Sequence, residues 1–564
     1  MNNTNAADYL SEHQKQTLLH IRNNIIGDNT YTKTPFGERK LTYADYTASG
    51  RSLAFIEKSI TQSVLPFYAN THTESTITGK QTTRFREDAR EIIRKAVNAT
   101  SDYFVIFCGS GATSAVNKLI SMMNFPLLKS QHGVNPVVFI GPYEHHSNDL
   151  PWRESSVDLV RISESPSGGL NLAELKNELI RYKDRPIKIG SFSAASNVTG
   201  IKTDQNSVSA LLHQYNALSF WDFAAAAPYV DIDMNPQENS LHYKDAIFFS
   251  CHKFIGGPST PGILVIKKSL INNSTPSIIG GGTVSFVSQN IHSYLDISEA
   301  REEGGTPSII ESIRAGMVFK LKSDIGPHTI ERLEEEYVNQ IEDRWRNHST
   351  IELLGVNTRN RLTITSFRIH TKEGYLHHDF IVALLNDLFG LQVRSGCSCA
   401  GPYGHDLLNI DDKKSSKIIS ALSTGNTIIK PGWVRFNLNY FLPQEEVDFI
   451  FSAIEFVAEN GAILLPFYQY DTINDMWLFQ GACMETQSLD DIYRIKSEEA
   501  SEVTLEQKVA LWNSYLTEAN NLIDKNTLGI YNKYHQPFND SLHELKDFIL
   551  ANSPSIEKHK HMVG

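Results

Sequence analysis

Short apolar-rich runs separated by helix-length amphipathic stretches set the rhythm of this chain from residue 103 onward. The runs are Tyr103–Phe107, Val137–Ile140, Ile187–Phe192, Leu218–Trp221, Ala246–Phe249 and Ile263–Ile266. Strands buried on both faces read this way, whereas a strand with one wet face alternates. Strand, crossover and strand in repetition predict an α/β fold, a mostly parallel central sheet with helices on both faces. In such sheets ligands collect beyond the carboxyl ends of the strands. The polar and glycine-rich segments after these runs are therefore where chemistry is expected.

Outside that region the pattern changes. Residues 1–40 read as a polar lead-in with Leu18, Leu19, Ile21, Ile25 and Ile26 as an apolar stripe. A long helical pattern covers Ile309–Asn347. Leu362–Ile369, a helix near Asp379–Phe389 and Trp433–Leu438 then predict a smaller α+β domain. From about residue 465 the chain is rich in aromatics and then in charged helical patterns such as Thr504–Ala519, which read as a C-terminal helical extension of unassigned role. The 564 residues exceed what one hydrophobic core holds. The expected division is 1–40, a large domain over 41–320, a small domain over 321–464 and the extension over 465–564.

Bulk composition narrows the function. A net charge of −12 argues against binding nucleic acid through its phosphates. No uninterrupted apolar stretch reaches the roughly 18 residues of a membrane span, so no membrane association is expected. Met1-Asn2-Asn3-Thr4-Asn5 lacks the apolar segment of a secretory signal. Five cysteines, few and odd in number, fit a reducing setting, so a cytoplasmic protein is expected.

Candidate chemistry sits at the strand ends. Lys253 follows Ala246–Phe249 in Ser250-Cys251-His252-Lys253-Phe254-Ile255-Gly256-Gly257-Pro258. An apolar surround would lower the lysine's pKa and make its amine nucleophilic, although lysines after strands are usually solvated loop cations. Gly109-Ser110-Gly111-Ala112-Thr113 links a strand to a helix and suits an anion at the helix N-terminus, or a plain structural turn. His145, in Glu144-His145-His146, could stack on a planar cofactor, shuttle a proton or simply be a loop histidine. Asp222 lies among apolar neighbours, which is costly without a cation; a helix cap is its bland alternative. Arg435 in Trp433-Val434-Arg435-Phe436 could clamp a carboxylate or form a structural ion pair. Cys397 and Cys399 share a glycine-flanked loop near Arg394 and His405, as a reactive thiol, an inert pair or half a metal site. Tyr43–Arg51 reads as a turn-rich, aromatic stretch, and Tyr68–Glu74, which contains His72, as a site-lining or a solvated surface loop.

Taken in order from about Tyr43 to Phe456, these motifs resemble the class V aminotransferase superfamily, in particular its cysteine desulfurase and selenocysteine lyase branch. The resemblance implies the type I fold of pyridoxal 5'-phosphate (PLP) enzymes, with Lys253 as the Schiff-base lysine. It implies that Asp222 pairs with the pyridine nitrogen, His145 stacks on the ring and Asn197 bonds the phenolic oxygen. Ala112, Thr113, Ser250 and His252 would hold the phosphate, and Thr306 would reach the phosphate of a second subunit in a homodimer. Arg435 and His72 would bind the substrate, a small amino acid, and Cys399 would carry a persulfide for a sulfur-acceptor protein. No metal is implied. Three positions depart from the family pattern: Ala225 replaces a glutamine, Thr73 an arginine, and Gly396-Cys397-Ser398 a Gly-His-His. The expected activity is removal of sulfur from L-cysteine. A class V transamination or other elimination without persulfide chemistry, and a non-catalytic scaffold, are the alternatives.

Overall fold

The computed structural model describes residues 10–551 apart from 72, 238, 356–357, 480–481, 483–485, 493–502, 524–527, 529–532, 534–535 and 537. The chain forms two compact units. The larger is built on Tyr46–Asn339 with the residues up to Ile25 and Gly355–Thr363; the smaller is built on the chain from Ile364 with Ile26–Asp45 and Gln340–Leu354.

The larger unit holds a seven-stranded sheet. Its strands are β1 (Tyr103–Cys108), β2 (Val137–Ile140), β3 (Asp158–Arg161), β4 (Lys188–Ser193), β5 (Leu218–Asp222), β6 (Ala246–Ser250) and β7 (Gly262–Lys267), in spatial order β1-β7-β6-β5-β4-β2-β3. The pairs from β6 to β3 are parallel, and β7 alone runs against both its neighbours. The sheet is thus mostly parallel, as its unbroken apolar runs require. β3 escapes the sequence pattern because Asp-Leu-Val-Arg lies at the sheet edge, half-exposed along its length.

Helix α1 (Ile77–Ala96) is followed by α2 (Gly111–Met123), whose Ala115, Val116, Leu119 and Met122 recur at helical spacing and join Ile106, Phe248 and Leu264 of the sheet in one buried cluster. The helical pattern after Ile309 resolves into α3 (Ile309–Ile325) and α4 (Pro327–Trp345). Gly326, at φ +91°, ends the first and Pro327 opens the second, the usual roles of these residues at helix ends. α3 crosses α1 closely: a Cβ at Gly316 would stand 2.5 Å from that of Ala89.

The smaller unit has an antiparallel sheet of β8 (Ile351–Leu353), β9 (Ile364–Ile369), β10 (Arg394–Gly396) and β11 (Trp433–Asn437), in the order β8-β9-β11-β10. Helices α5 (His378–Phe389) and α6 (Gln444–Leu464) belong to it. Trp345 meets Phe436 and Phe451 edge-on at 5.7 and 5.1 Å, centring its aromatic core. Among the described residues one helix, α6 with its continuation to Phe467, is long and apolar enough to cross a membrane; most of it is buried within the fold, as a core helix would be.

The residues beyond 465 add a hairpin, β12 (Tyr468–Asp471) and β13 (Met476–Phe479), and a helix, α7 (Leu505–Leu522). Thr504 and Gln507 form a capping box that starts α7. Trp512 is 2% exposed and stacks on Phe449 of α6 at 5.2 Å. The Tyr515 hydroxyl accepts from the Lys40 amide at 3.0 Å, and its ring lies under Arg39 at 4.6 Å. Tyr468 donates to Asp387 of α5 at 2.9 Å. The extension therefore completes the core of the smaller unit. Trp512→Ala should lower the stability of that unit by about 3–5 kcal/mol in chemical denaturation; an unchanged midpoint would contradict this packing.

Candidate active site

The functional candidates fall into two clusters, one in each unit. In the larger unit they gather at the carboxyl ends of β1, β2, β4, β5 and β6. β1 ends at Cys108 and the chain turns through Gly109 and Ser110 into α2. Gly111 has φ +59°, and a Cβ there would lie 2.7 Å from Ser250 Oγ. The Ala112 amide donates to Ser250 Oγ at 2.8 Å. Ser110 does not cap α2 through its side chain, so the helix presents its positive end here. The reversed strand β7 enters at Gly262, where a Cβ would come within 2.0 Å of the Gly111 carbonyl oxygen. Only glycine permits that approach.

Lys253, half-buried, closes a short 3-10 turn, Cys251–Lys253, directly after β6. Residues 49–51 hold this turn. The Gly50 amide donates to the His252 carbonyl at 2.8 Å, Ser49 Oγ lies 3.3 Å from the same oxygen, and the Gly256 amide donates to Arg51 at 2.7 Å. The latter part of the turn-rich stretch noticed in the sequence thus serves to fix the lysine turn. Burial, with a smaller contribution from the Lys253 charge, holds the His252 imidazole down at about 4, so the ring is neutral near pH 7.

Asp222 ends β5 and is 4% exposed. Its Oδ1 accepts from the Ala224 amide at 2.7 Å. Burial pushes the carboxyl up to about 6; the amide and the nearby Lys253 charge pull the other way and lose. Glu144, in the loop after β2, is a second buried acid that the sequence reading did not single out. It accepts from the amides of Gly141 (3.1 Å) and Ser193 (3.0 Å), from the Ser193 hydroxyl and from Asn148 (both 2.6 Å). Burial, and to a lesser degree the charge of Asp222, raise it to about 7. Its only sequence signal is its place before His145-His146.

His145 is half-buried and accepts from the Ser147 amide through Nδ1 at 3.1 Å, which puts the neutral ring's proton on Nε2. Ser147 Oγ lies 3.0 Å from that Nδ1 and 2.6 Å from Thr113 Oγ1, linking the β2 loop to the start of α2. Asn197 is buried in the turn after β4, which Ser196 Oγ shapes by accepting from the Val198 and Thr199 amides, each at 3.1 Å. Thr306 is exposed on the loop before α3, its hydroxyl 3.5 Å from Asn70 Nδ2. That loop is anchored by buried Glu303, which pairs with Arg86 and Arg90 and accepts from the Phe107 amide at 2.7 Å. His72 lies outside the described residues.

In the smaller unit Arg435 of β11 is 3% exposed, and its Nη2 donates to Asp45 Oδ1 at 3.1 Å. Arg394 donates through Nε to Asp45 Oδ2, also at 3.1 Å. The guanidinium expected to meet a substrate carboxylate is therefore already partnered by an internal one. Burial lowers the Arg435 pKa; Asp45, and more weakly Cys399, act to raise it. Cys399 is exposed and Cys397 half-buried. The Ala400 amide donates to the Cys397 carbonyl at 3.1 Å, while Ser398 and Cys399 have φ of +52° and +56°. This is the pattern of a type I′ turn, built without glycine at either central position. Left-handed backbone at a non-glycine residue costs about 1–3 kcal/mol each.

Burial pushes the Cys108 thiol up to about 12 and raises that of Cys251, which leaves both inert. Cys483 lies outside the described residues. His377, His378 and Asp379 cluster closely enough for a metal ion. Their ring nitrogens are nevertheless engaged: His377 with Ile428 O, Asp379 N and Trp477 Nε1, and His378 with Lys430 O and Asp379.

Residues 42–450 match the family described as Aminotransferase class-V. A Halalkalibacterium halodurans protein named "Probable cysteine desulfurase" is 27% identical over 366 residues, 64% of this chain and 84% of the relative. A Staphylococcus aureus protein of the same name is 26% identical, covering 67% of this chain and 88% of the relative. Among solved structures, an apo cysteine desulfurase from Thermococcus onnurineus aligns with TM-score 0.62 and 21% identity, over 78% of this chain and 98% of that one. The Escherichia coli cysteine desulfurase CsdA aligns with TM-score 0.57 and 19% identity, over 74% and 94%. These likenesses show the type I fold of PLP enzymes. The strand-end cluster and the match over residues 42–450 lead to one conclusion: this chain belongs to the class-V aminotransferase family and is a PLP-dependent enzyme.

Proposed function

We propose that this protein removes sulfur from L-cysteine, giving alanine and a persulfide on Cys399. The observation that carries the cofactor half is Asp222, a buried carboxylate raised to about 6 at a strand end. A protonated pyridine nitrogen is the kind of cation such a group lacks. The neighbouring donors suit the rest of PLP: a helix N-terminus that Ser110 leaves without a side-chain cap for a phosphate, and a turn-borne amine for an aldehyde. The sulfur half is supported by the exposed Cys399 in the same unit as Arg435, and by the names of the curated relatives.

When bound, the cofactor supplies an aldehyde that condenses with amines and a ring that withdraws electrons from the substrate's α-carbon. Ala112, Thr113, Ser250 and His252 would hold its phosphate at the α2 N-terminus, and Thr306 would serve that of a second copy in a homodimer. Asp222 would keep the ring nitrogen protonated, His145 would lie against the ring, and Asn197 would bond its phenolic oxygen. Lys253 would hold the aldehyde between turnovers and then carry the α-proton as an amine. Arg435 and His72 would bind the substrate, Arg435 at its carboxylate. The Cys399 thiolate would attack the substrate's sulfur; the carbon–sulfur bond would break with its electron pair left on carbon, which takes up a proton and leaves as alanine, while the sulfur stays on Cys399 for an acceptor protein.

The acid pair gives a pH dependence whose sign can be worked out. Both carboxyls are raised in the fold, so the native state holds protons that the unfolded chain has already lost. Their contribution is complete below the ordinary carboxylate range and is lost as pH rises from there through about 6 for Asp222 and about 7 for Glu144. In the cofactor-free protein Asp222→Asn should remove a penalty of about 3 kcal/mol above neutral pH. Thermal unfolding against pH measures it; identical profiles for the two proteins would contradict the assignment.

The activity has its own tests. Borohydride reduction of the PLP-loaded protein should fix the cofactor on the Lys253 peptide, and Lys253→Ala should lose the adduct. Incubation with L-cysteine should yield alanine, and Cys399→Ser should lose the persulfide while the cofactor's absorbance persists. Absence of alanine from the wild-type protein would contradict the proposal.

A further inference from the structure

We propose that Cys397 is a resolving thiol that discharges the sulfur carried by Cys399, so that the enzyme releases sulfide without a second protein. The inference rests on the desulfurase reading and adds a step to it. Both thiols lie in one hydrogen-bonded turn, Cys397 at its first position and Cys399 at its third. Across a tight turn, residues two apart come within the roughly 4.4–6.8 Å Cα separation that a disulfide spans; on an extended strand they stand about 7 Å apart. Two consecutive left-handed residues, neither of them glycine, bend the chain away from that extended form. Neither thiol is in a disulfide; Cys399 is exposed and Cys397 half-buried, so an attacking sulfur meets no packed core. Gly396, at φ +94°, precedes the pair and has open space where a Cβ would stand.

The Cys397 thiolate attacks Sγ of the Cys399 persulfide. The bond between that Sγ and the outer sulfur breaks, the outer sulfur leaves as hydrosulfide, and a Cys397–Cys399 disulfide remains. The two electrons that leave with the sulfide come from the two cysteines. Resetting the pair takes one equivalent of a dithiol reductant, which is itself oxidised to its disulfide.

The test uses the full-length, PLP-loaded protein with one equivalent of L-cysteine and no added thiol, followed by acid quench and peptide mapping. The wild-type protein should release about one sulfide per alanine, and the loop peptide should be lighter by two hydrogens, with Cys397 and Cys399 joined. In Cys397→Ser the added sulfur should remain on Cys399 and sulfide release should slow by roughly tenfold or more. A wild-type protein that forms alanine yet keeps the extra sulfur on Cys399 overturns this step and leaves the desulfurase reading standing. No alanine from any variant removes both. A second measurement needs no turnover: cofactor-free protein equilibrated in dithiol redox buffers should form the Cys397–Cys399 disulfide, and failure to form it under the most oxidising buffer also overturns the proposal.

Discussion

A carboxyl group taken out of water at the end of a parallel sheet must find a cation or keep its proton. Asp222 is in that position: the Ala224 amide bonds it and Lys253 acts on it through its charge, yet burial still dominates and lifts it to about 6. The sheet puts it there because β5 is buried on both sides and ends at this residue. Everything around it serves the same end of the sheet. Ser193 pairs with it in register and also holds Glu144, so the two acids share one environment. The chemistry proposed for the larger unit depends on this demand for positive charge, which a protonated pyridine ring would satisfy.

Close backbone approach is the second constraint. Gly111, Gly262 and Gly50 each stand where a Cβ would collide with a neighbouring loop. These contacts lock the α2 N-terminus against the Lys253 turn, and the lysine turn against residues 49–51. Such a site is largely set before any ligand arrives, which lowers the cost of ordering it on binding.

Much of the larger unit is legible in the sequence because its strands are fully buried and therefore nearly unbroken in apolar character. β3 is not, since an edge strand that is half-exposed loses that signature. The break between α3 and α4 was carried by Gly326-Pro327 but hidden within an otherwise continuous helical pattern. Asp222 stood out as an acid among apolar residues, whereas Glu144 did not, since two of its bonds come from Ser193, far along the chain. The pairing of Arg435 with Asp45 was equally invisible, because the two are brought together only by the fold of the smaller unit. The extension read as helical and of no assigned role; its hairpin and the seating of Trp512 on Phe449 show a structural part in that unit's core.

On the proposed function, Asp222 would surrender its proton when it meets the cofactor's cationic nitrogen. Calorimetric titration of the apo protein with PLP, repeated near pH 6 in buffers of different ionisation enthalpy, counts the protons exchanged. Asp222→Asn should release fewer protons than the wild-type protein, because the wild-type acid, raised to about 6 when alone, must ionise on pairing. Equal proton counts in the two proteins would contradict it.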